Sequence, residues 1–298
     1  MQIPLSILIY HRVLAQPDPL FPEQIDARRF EQHLRLLRRW FNPLPLTEAV
    51  RRLPEGSLPQ RAVCITFDDG YADNAEVALP ILQRHKMPAT FFVASGFLDG
   101  GCMWNDAVIE VVRKAQGERL NLSRSGFASY DIGCPQRRRA VIDMLLAALK
   151  YLPPQERLAR VKSMARSFTP TMLSSDQLLA LHRAGMDIGA HTVNHPILTA
   201  ISNAEARAEI AQGRARLEDI VQAPVRLFAY PNGKPGQDYE QRHADMLRAQ
   251  GFEAAVSTAW GAARAHCDRF HLPRFTPWDR SSSGFLLRMA ANLLIPAA

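Results

Sequence analysis

Short apolar runs alternate along the chain with longer stretches in which apolar and charged residues recur at helical spacing. Ser6–Tyr10, Ala62–Phe67, Ala89–Ala94, Asp187–Ala190, Arg226–Tyr230 and Ala254–Ser257 read as strands. Between them, Asp26–Phe41, Asn74–Lys86, Ser175–Ala184 and Asn203–Val221 read as amphipathic helices. Ser202 with Glu205 three residues on predicts a capping box, and Gly185 predicts the end of a helix. This alternation predicts an α/β fold with a parallel sheet.

The stretch from about Trp104 to Phe168 breaks the rhythm. It is rich in Arg, Ala and Leu and poor in strand signals, which predicts a mainly helical insertion. Pro153–Pro154 predicts a break between two of its helices.

A chain of 298 residues, 47% hydrophobic and 22% charged, has ample material for a core, and a single domain over 1–298 is expected. No apolar run reaches the eighteen or so residues of a membrane-spanning helix. The opening MQIPLSILIYHRV lacks the basic flank and small-residue cleavage site of a signal peptide, so a cytoplasmic location is expected. Four scattered cysteines, with no C-x-x-C pair, argue against a disulfide framework. The net charge of +7 would permit a polyanionic partner. Yet Arg28, Arg29, Arg35, Arg38 and Arg39 interleave with Phe30, Leu34, Leu37 and Trp40, the pattern of a solvated helix face. No nucleic-acid partner is expected.

Two segments carry chemistry. Ala62–Phe67 ends abruptly in Asp68-Asp69-Gly70, at the kind of strand end where functional loops gather in parallel folds. Adjacent carboxylates repel when both ionise, and a metal ion relieves this: one ligates while the other stays free as a base. Alone, the triplet fits a polar turn equally well. The second segment, His191-x-x-x-His195-Pro196, follows another apolar run. Pro196 disfavours helix at His195, so a strand end entering a loop is expected. Two imidazoles and a carboxylate make a three-ligand catalytic zinc site with one position open.

Thr66-Phe-Asp-Asp-Gly70 and His191-x-x-x-His195-Pro196 resemble the first two motifs of the NodB-type polysaccharide deacetylases, carbohydrate esterase family four. The resemblance runs from the first strand to about Pro277. It implies a distorted (β/α) barrel of about seven parallel strands, with Asp68 as base and Asp69, His191 and His195 holding a divalent metal, most simply zinc. The family's third motif resembles R-P-P-Y-G. Here the matching stretch is Phe228-Ala-Tyr-Pro-Asn-Gly233, with Ala229 at the arginine's place and Asn232 at the tyrosine's. Tyr230 and Asn232 are the candidates for substrate and oxyanion contact, since a backbone N–H survives the change of side chain. Arg274, in Leu272-Pro-Arg-Phe275, is the candidate replacement for the missing arginine. Ile9-Tyr-His-Arg-Val13 is similar to the first strand of a circularly permuted subgroup that includes poly-N-acetylglucosamine deacetylases. That likeness implies His11 as the acid, with His271 a weaker competitor.

The expected reaction is removal of N-acetyl groups from N-acetylhexosamine units of a glycan, releasing acetate. Two alternatives stand beside it: a deacylase or amidase acting on a lipid-linked sugar or a small cyclic amide, and an inactive glycan-binding module, prompted by Ala229. Trp104 reads either as a sugar-stacking ring or as packing. The apolar end, 284–298, reads as a last packed helix or a peripheral membrane contact. Oligomeric state is not legible.

Overall fold

Leu5–Tyr10 (β1) and Ala62–Phe67 (β3) are buried at every position, as strands covered on both faces must be. A computed structural model describes residues 3–164, 169–279 and 281–294. In it β1 and β3 pair in parallel from Leu5↔Ala62 to Tyr10↔Phe67. Thr90–Val93 (β4), Asp187–Ala190 (β7), Leu227–Ala229 (β8) and Ala254–Val256 (β9) continue the sheet. The order is β1-β3-β4-β7-β8-β9, and a two-residue strand, Asn42–Pro43 (β2), lies against β3. All of these pairings are parallel. The expected seven parallel strands are present.

The sheet curls until its ends nearly meet. Leu272 bridges to Val256 on β9 and Phe275 to Leu8 on β1, both in parallel sense. Ser257 N–H donates to Leu272 O at 2.8 Å, and Phe275 N–H to Ile7 O at 2.7 Å. Pro273, between them, has no N–H to give, so the gap is closed by bridges rather than by a strand. This makes the barrel distorted, and it places Arg274 between β9 and β1.

Helix α1 (Ala27–Trp40) follows β1, and α2 (Leu46–Glu55) precedes β3. The apolar face of α2 (Leu46, Ala49, Val50, Leu53) packs with Leu5, Ile7, Ala62 and Cys64. Thr47 Oγ1 donates to Asp187 at 2.9 Å, and Arg51 pairs with Glu253 at 3.2 Å. These acids stand at the N-terminal ends of β7 and β9, so α2 covers the end of the barrel opposite Asp68.

Asn74–Lys86 is not one regular helix. Asn74–Ala78 is a π-helical turn in which Leu79 N–H reaches back to Asn74 O, and α3 (Leu79–His85) continues from it. Pro80 supplies no N–H at the start of α3, and the backbone widens just ahead of it. The Ser202–Glu205 capping box opens the helix Asn203–Val221 (α8) as expected. Gly185 lies just past the helix Ser175–Arg183 (α7).

The stretch read as an insertion holds α4 (Trp104–Lys114), α5 (Pro135–Lys150) and α6 (Pro154–Met164), and Pro153–Pro154 marks the break between the last two. It also holds a hairpin, β5 (Arg119–Asn121) against β6 (Ser129–Asp131), whose strands are only three residues long. A core of its own, including Val108, Val112, Ile142 and Leu145, takes in Leu20 and Phe21 from the β1–α1 connection. Residues 165–168 of that stretch lie outside the described residues.

Helix α9 spans Gln241–Ala249, and the last helix, α10 (Ser282–Leu294), buries Phe285, Met289 and Asn292. Asn292 Nδ2 donates to Ser6 Oγ at 3.0 Å. Leu287 and Leu294 stay exposed, and the final residues of the apolar end, 295–298, lie outside the described residues. Among the described residues no helix is long and apolar enough to cross a membrane.

Candidate active site

Asp68 and Asp69 leave the C-terminal end of β3, where the chain must turn sharply. Asp69 adopts φ +75° and Gly70 φ +88°. At Gly70 a Cβ would also come within 2.8 Å of Val93 Cγ1, so the position needs glycine on both counts. The turn sends the two carboxylates in different directions.

Asp68 points into the barrel. Arg274 meets it bidentately, Nη1 to Oδ1 at 2.7 Å and Nη2 to Oδ2 at 2.6 Å. The guanidinium is fixed in turn by Thr66 Oγ1 at 3.1 Å and Ser257 O at 2.8 Å. Burial alone would raise the pKa of Asp68, but the guanidinium outweighs it and holds the carboxyl below its ordinary range. Asp68 thus has a guanidinium partner, from Arg274, 45 positions after Ala229 in the chain.

Asp69 faces two imidazoles. Its Oδ1 stands 3.3 Å from His191 Nε2 and 3.4 Å from His195 Nε2. The three ligand atoms lie within 4.8 Å of one another. Asp69 Oδ1 is buried with no well-formed hydrogen bond, a costly state for a carboxylate oxygen unless a cation meets it. His191 Nδ1 lies 2.7 Å from Ala229 O. Donation to that carbonyl leaves Nε2 with its lone pair toward Asp69, the usual way an outer contact orients a ligating histidine. A carboxylate and two imidazoles around an orphaned oxygen fit a divalent cation of the zinc class.

The loop carrying His195 is held from α8. Glu209 accepts from Val193 N–H at 2.9 Å, Asn194 N–H at 2.8 Å and Asn194 Nδ2 at 2.7 Å. Gly213 lets the helix approach; a Cβ there would stand 2.8 Å from the backbone of Thr192. Thr192, His195 and Asn232 all have positive φ, at 65°, 53° and 58°. Together with Asp69 they place four strained non-glycine residues around one spot, as functional sites often do.

His11 follows the last residue of β1 and is exposed at the rim. It lies within electrostatic reach of Asp68, Asp69 and His195. Asn74 Nδ2 donates to His11 O at 2.9 Å. Asp73 accepts from Val13 N–H at 3.1 Å and pairs with Arg12 at 2.7 Å. Those two residues pin the segment that presents His11.

The barrel brings Asp68, Asp69, His191, His195, His11 and Arg274 together. Asn232 joins them on the wall of a cavity of about 300 Å³ that Asp69 and His195 also line. Tyr230 departs from the expectation of substrate contact: its N–H donates to Val256 O and its hydroxyl to Phe270 O. Its ring stacks on Tyr239 at 3.6 Å, so its polar atoms are spent on the core. His271 lies in that same stack, 3.0 Å from the Tyr239 hydroxyl. Asp73 and Glu209 have no sequence signal for their roles, because their partners, Arg12 and Val13 for one and Val193 and Asn194 for the other, meet them only in the fold. Trp104, Asn105 and Lys150 bring the insertion into the wall of the cavity.

A distorted parallel barrel with a carboxylate and two imidazoles at its strand ends, beside a second carboxylate, offers the groups that hydrolysis needs. Residues 55–255 match the profile of the polysaccharide deacetylase family, and the chain belongs to that family. It is 22% identical over 261 residues to the putative polysaccharide deacetylase YxkH of Bacillus subtilis (strain 168), a match over 87% of this chain. The match spans 66% of YxkH, just under two thirds of its length. Among solved structures, the Streptococcus pyogenes deacetylase PplD superposes with TM-score 0.66 at 20% identity, covering 97% of this chain and 99% of that one. IcaB from Ammonifex degensii gives 0.60 at 20% identity, with 98% and 97% covered. At these identities the structures show the shared fold.

Proposed function

We propose that the protein removes N-acetyl groups from N-acetylhexosamine units of a glycan, releasing acetate and a free amine. The observation that carries this reading is the division of labour within Asp68-Asp69: one carboxylate is locked to Arg274, the other faces His191 and His195.

Asp69, His191 and His195 would hold a divalent cation, zinc being our choice. Such an ion polarises an amide carbonyl and acidifies water, so hydroxide becomes available near neutral pH. Asp68, kept ionised by Arg274, takes the proton of the attacking water. Arg274 fixes the direction of its lone pairs and limits how far the proton can stay, since protonation would strand the guanidinium. The Asn232 backbone N–H is the proposed donor to the oxygen that gains charge in the tetrahedral state. His11, at the exposed rim, gives a proton to the departing amine, which would otherwise leave as a poor anion. The pinning of its segment by Asp73 and Asn74 supports that role.

The guanidinium of Arg274 on Asp68 supports turnover over an inactive binding module, the alternative that Ala229 prompts.

The test is acetate release from N-acetylglucosamine oligomers by metal-loaded protein. We expect turnover in the wild type, none above background in Asp68→Asn, and a loss of about 10²–10⁴-fold in His11→Ala. No acetate from fully loaded protein would overturn the reading. Full activity in His11→Ala would remove His11 as the acid.

A further inference from the structure

Arg157 is a half-buried cation without an anion. Its one hydrogen bond is to the carbonyl of Lys150, at 3.0 Å, which occupies one of five donors. Among the described residues no carboxylate pairs with it, and its burial works against its charge with no acid to offset it. Its guanidinium carbon lies 5.0 Å from the centre of the Trp104 ring. Lys150 is likewise unpaired among the described residues; its ammonium is 5.4 Å from the Tyr151 ring. Capping the end of α5 needs only the one bond to the Lys150 carbonyl. It does not explain the other four donors, nor a second free cation beside them.

The position of Arg157 supplies the explanation. It lines both the cavity that holds Asp69, His195 and Asn232 and a larger neighbour of about 670 Å³. Trp104 is shared by the same two cavities, so the stacked Trp104–Arg157 pair forms their common wall. The larger cavity is walled by Phe97, Leu158, Val161, Pro196 and Ile201, among others. Glu205 and Glu209 also line it, but one is engaged in the Ser202 cap and the other in the His195 loop. Lys162, with no partner among the described residues, lines it too. Passing outward from the triad, a ligand would meet a pocket of mixed lining, then a cationic fork, then a more apolar cavity. A planar guanidinium with free donors recognises phosphate or carboxylate through paired hydrogen bonds. A neutral sugar polymer would leave that fork unanswered and would gain little from the apolar cavity beyond it.

We propose that the acetylated sugar is joined through a phosphate to a hydrocarbon chain. The sugar sits in the cavity at Asp69 and His195, the phosphate on Arg157 and Lys150, and the chain in the larger cavity. Only the sugar end of this assignment rests on the deacetylase reading.

Calorimetric titration of the full chain tests it without turnover. The probes are farnesyl phosphate below its micellar concentration, farnesol, inorganic phosphate, and an acidic tetrasaccharide of alternating N-acetylglucosamine and glucuronate. Farnesyl phosphate should bind at least tenfold more tightly than each of the other three. Arg157→Gln should weaken it about 10-fold or more while leaving farnesol unchanged, as expected for lost bonds to a charged group. Arg157→Lys should recover part of that loss. Lys150→Gln should weaken farnesyl phosphate as well, giving a second variant should Arg157→Gln misfold. Leu158→Glu should weaken farnesyl phosphate without affecting inorganic phosphate. Unchanged binding in folded Arg157→Gln and Lys150→Gln would overturn the proposal. So would equal binding of inorganic phosphate, or tighter binding of the acidic tetrasaccharide. If farnesyl phosphate binds as described but no N-acetylated sugar yields acetate, the deacetylase reading fails and this subsite stands. Acetate release without such binding sinks the subsite alone.

Discussion

Arg274 and Asp68 form a two-point ion pair, 2.7 and 2.6 Å, at a place where each residue is only 2% exposed. Breaking a buried pair on one side strands the other charge, at a cost of about 3–5 kcal/mol. Arg274→Ala should therefore lose stability on that scale and lose activity as well. Adding Asp68→Asn should return part of the stability and none of the activity, because both charges are then gone. Urea unfolding of the two single variants and the double variant checks this. Additive losses would show that the pair is not coupled.

The proposed metal site gives the two carboxylates different roles that can be tested apart. A divalent ion that binds the folded triad and not the unfolded chain raises stability by about 2.7 kcal/mol at a hundredfold excess over its dissociation constant. We expect chelation to stop acetate release and lower the melting temperature, and added Zn²⁺ to restore both. Asp69→Asn and His195→Ala should abolish the thermal gain from metal. Asp68→Asn should keep it, since Asp68 is committed to Arg274. Thermal melts with and without metal decide the matter, and a gain that survives in Asp69→Asn would remove that residue from the site.

Glu209 acts at one remove. Its carboxylate receives three donors from Val193 and Asn194, just before His195. Removing an outer support of a metal ligand commonly costs 10–100-fold in metal affinity. Glu209→Ala should weaken metal binding by about that factor while turnover of the loaded enzyme changes far less. A competitive metal titration beside saturating-metal kinetics distinguishes these. Unchanged affinity would mean that the positive φ of Thr192 and His195 is held by the fold without Glu209.

The sequence made some of this legible for physical reasons. β1 and β3 are apolar throughout because both faces are covered, and Asp68-Asp69-Gly70 stands out by breaking such a run. The His191–His195 pair is readable because Pro196 disfavours helix there. Arg274 was legible only as a candidate: its link to Asp68 depends on barrel closure by Leu272 and Phe275, a contact across more than 200 residues. Helix α2 was not read at all, since its ten residues end with an internal Pro54 and its partners are strand starts. The β5–β6 hairpin is hard to read because each strand is only three residues long and its inward Leu120 and Tyr130 are only partly buried. The inward turn of the Tyr230 ring is not legible, because position along a motif does not tell which way a ring turns at a strand end.

His33 gives the fold a pH dependence of its own. On α1, it is buried with its ring stacked on Phe285 of α10 at 4.3 Å and its Nδ1 3.0 Å from the Tyr10 hydroxyl. Burial, aided by the nearby Arg29, lowers its pKa from 6.5 to about 4. A histidine depressed in this way stays neutral in the folded chain while the unfolded chain takes up a proton. Its contribution is therefore complete above about pH 6.5 and is lost progressively as pH falls toward 4. The full loss is on the order of 3 kcal/mol. Urea midpoints should drop between pH 7 and pH 5, and His33→Phe should flatten that drop. The variant would begin less stable at pH 7, because the Tyr10 hydroxyl loses its acceptor. The contact joins α1 to α10, so protection of α10 amides against hydrogen exchange should fall early in the acid range. An identical pH slope in His33→Phe would assign the acid sensitivity to other groups.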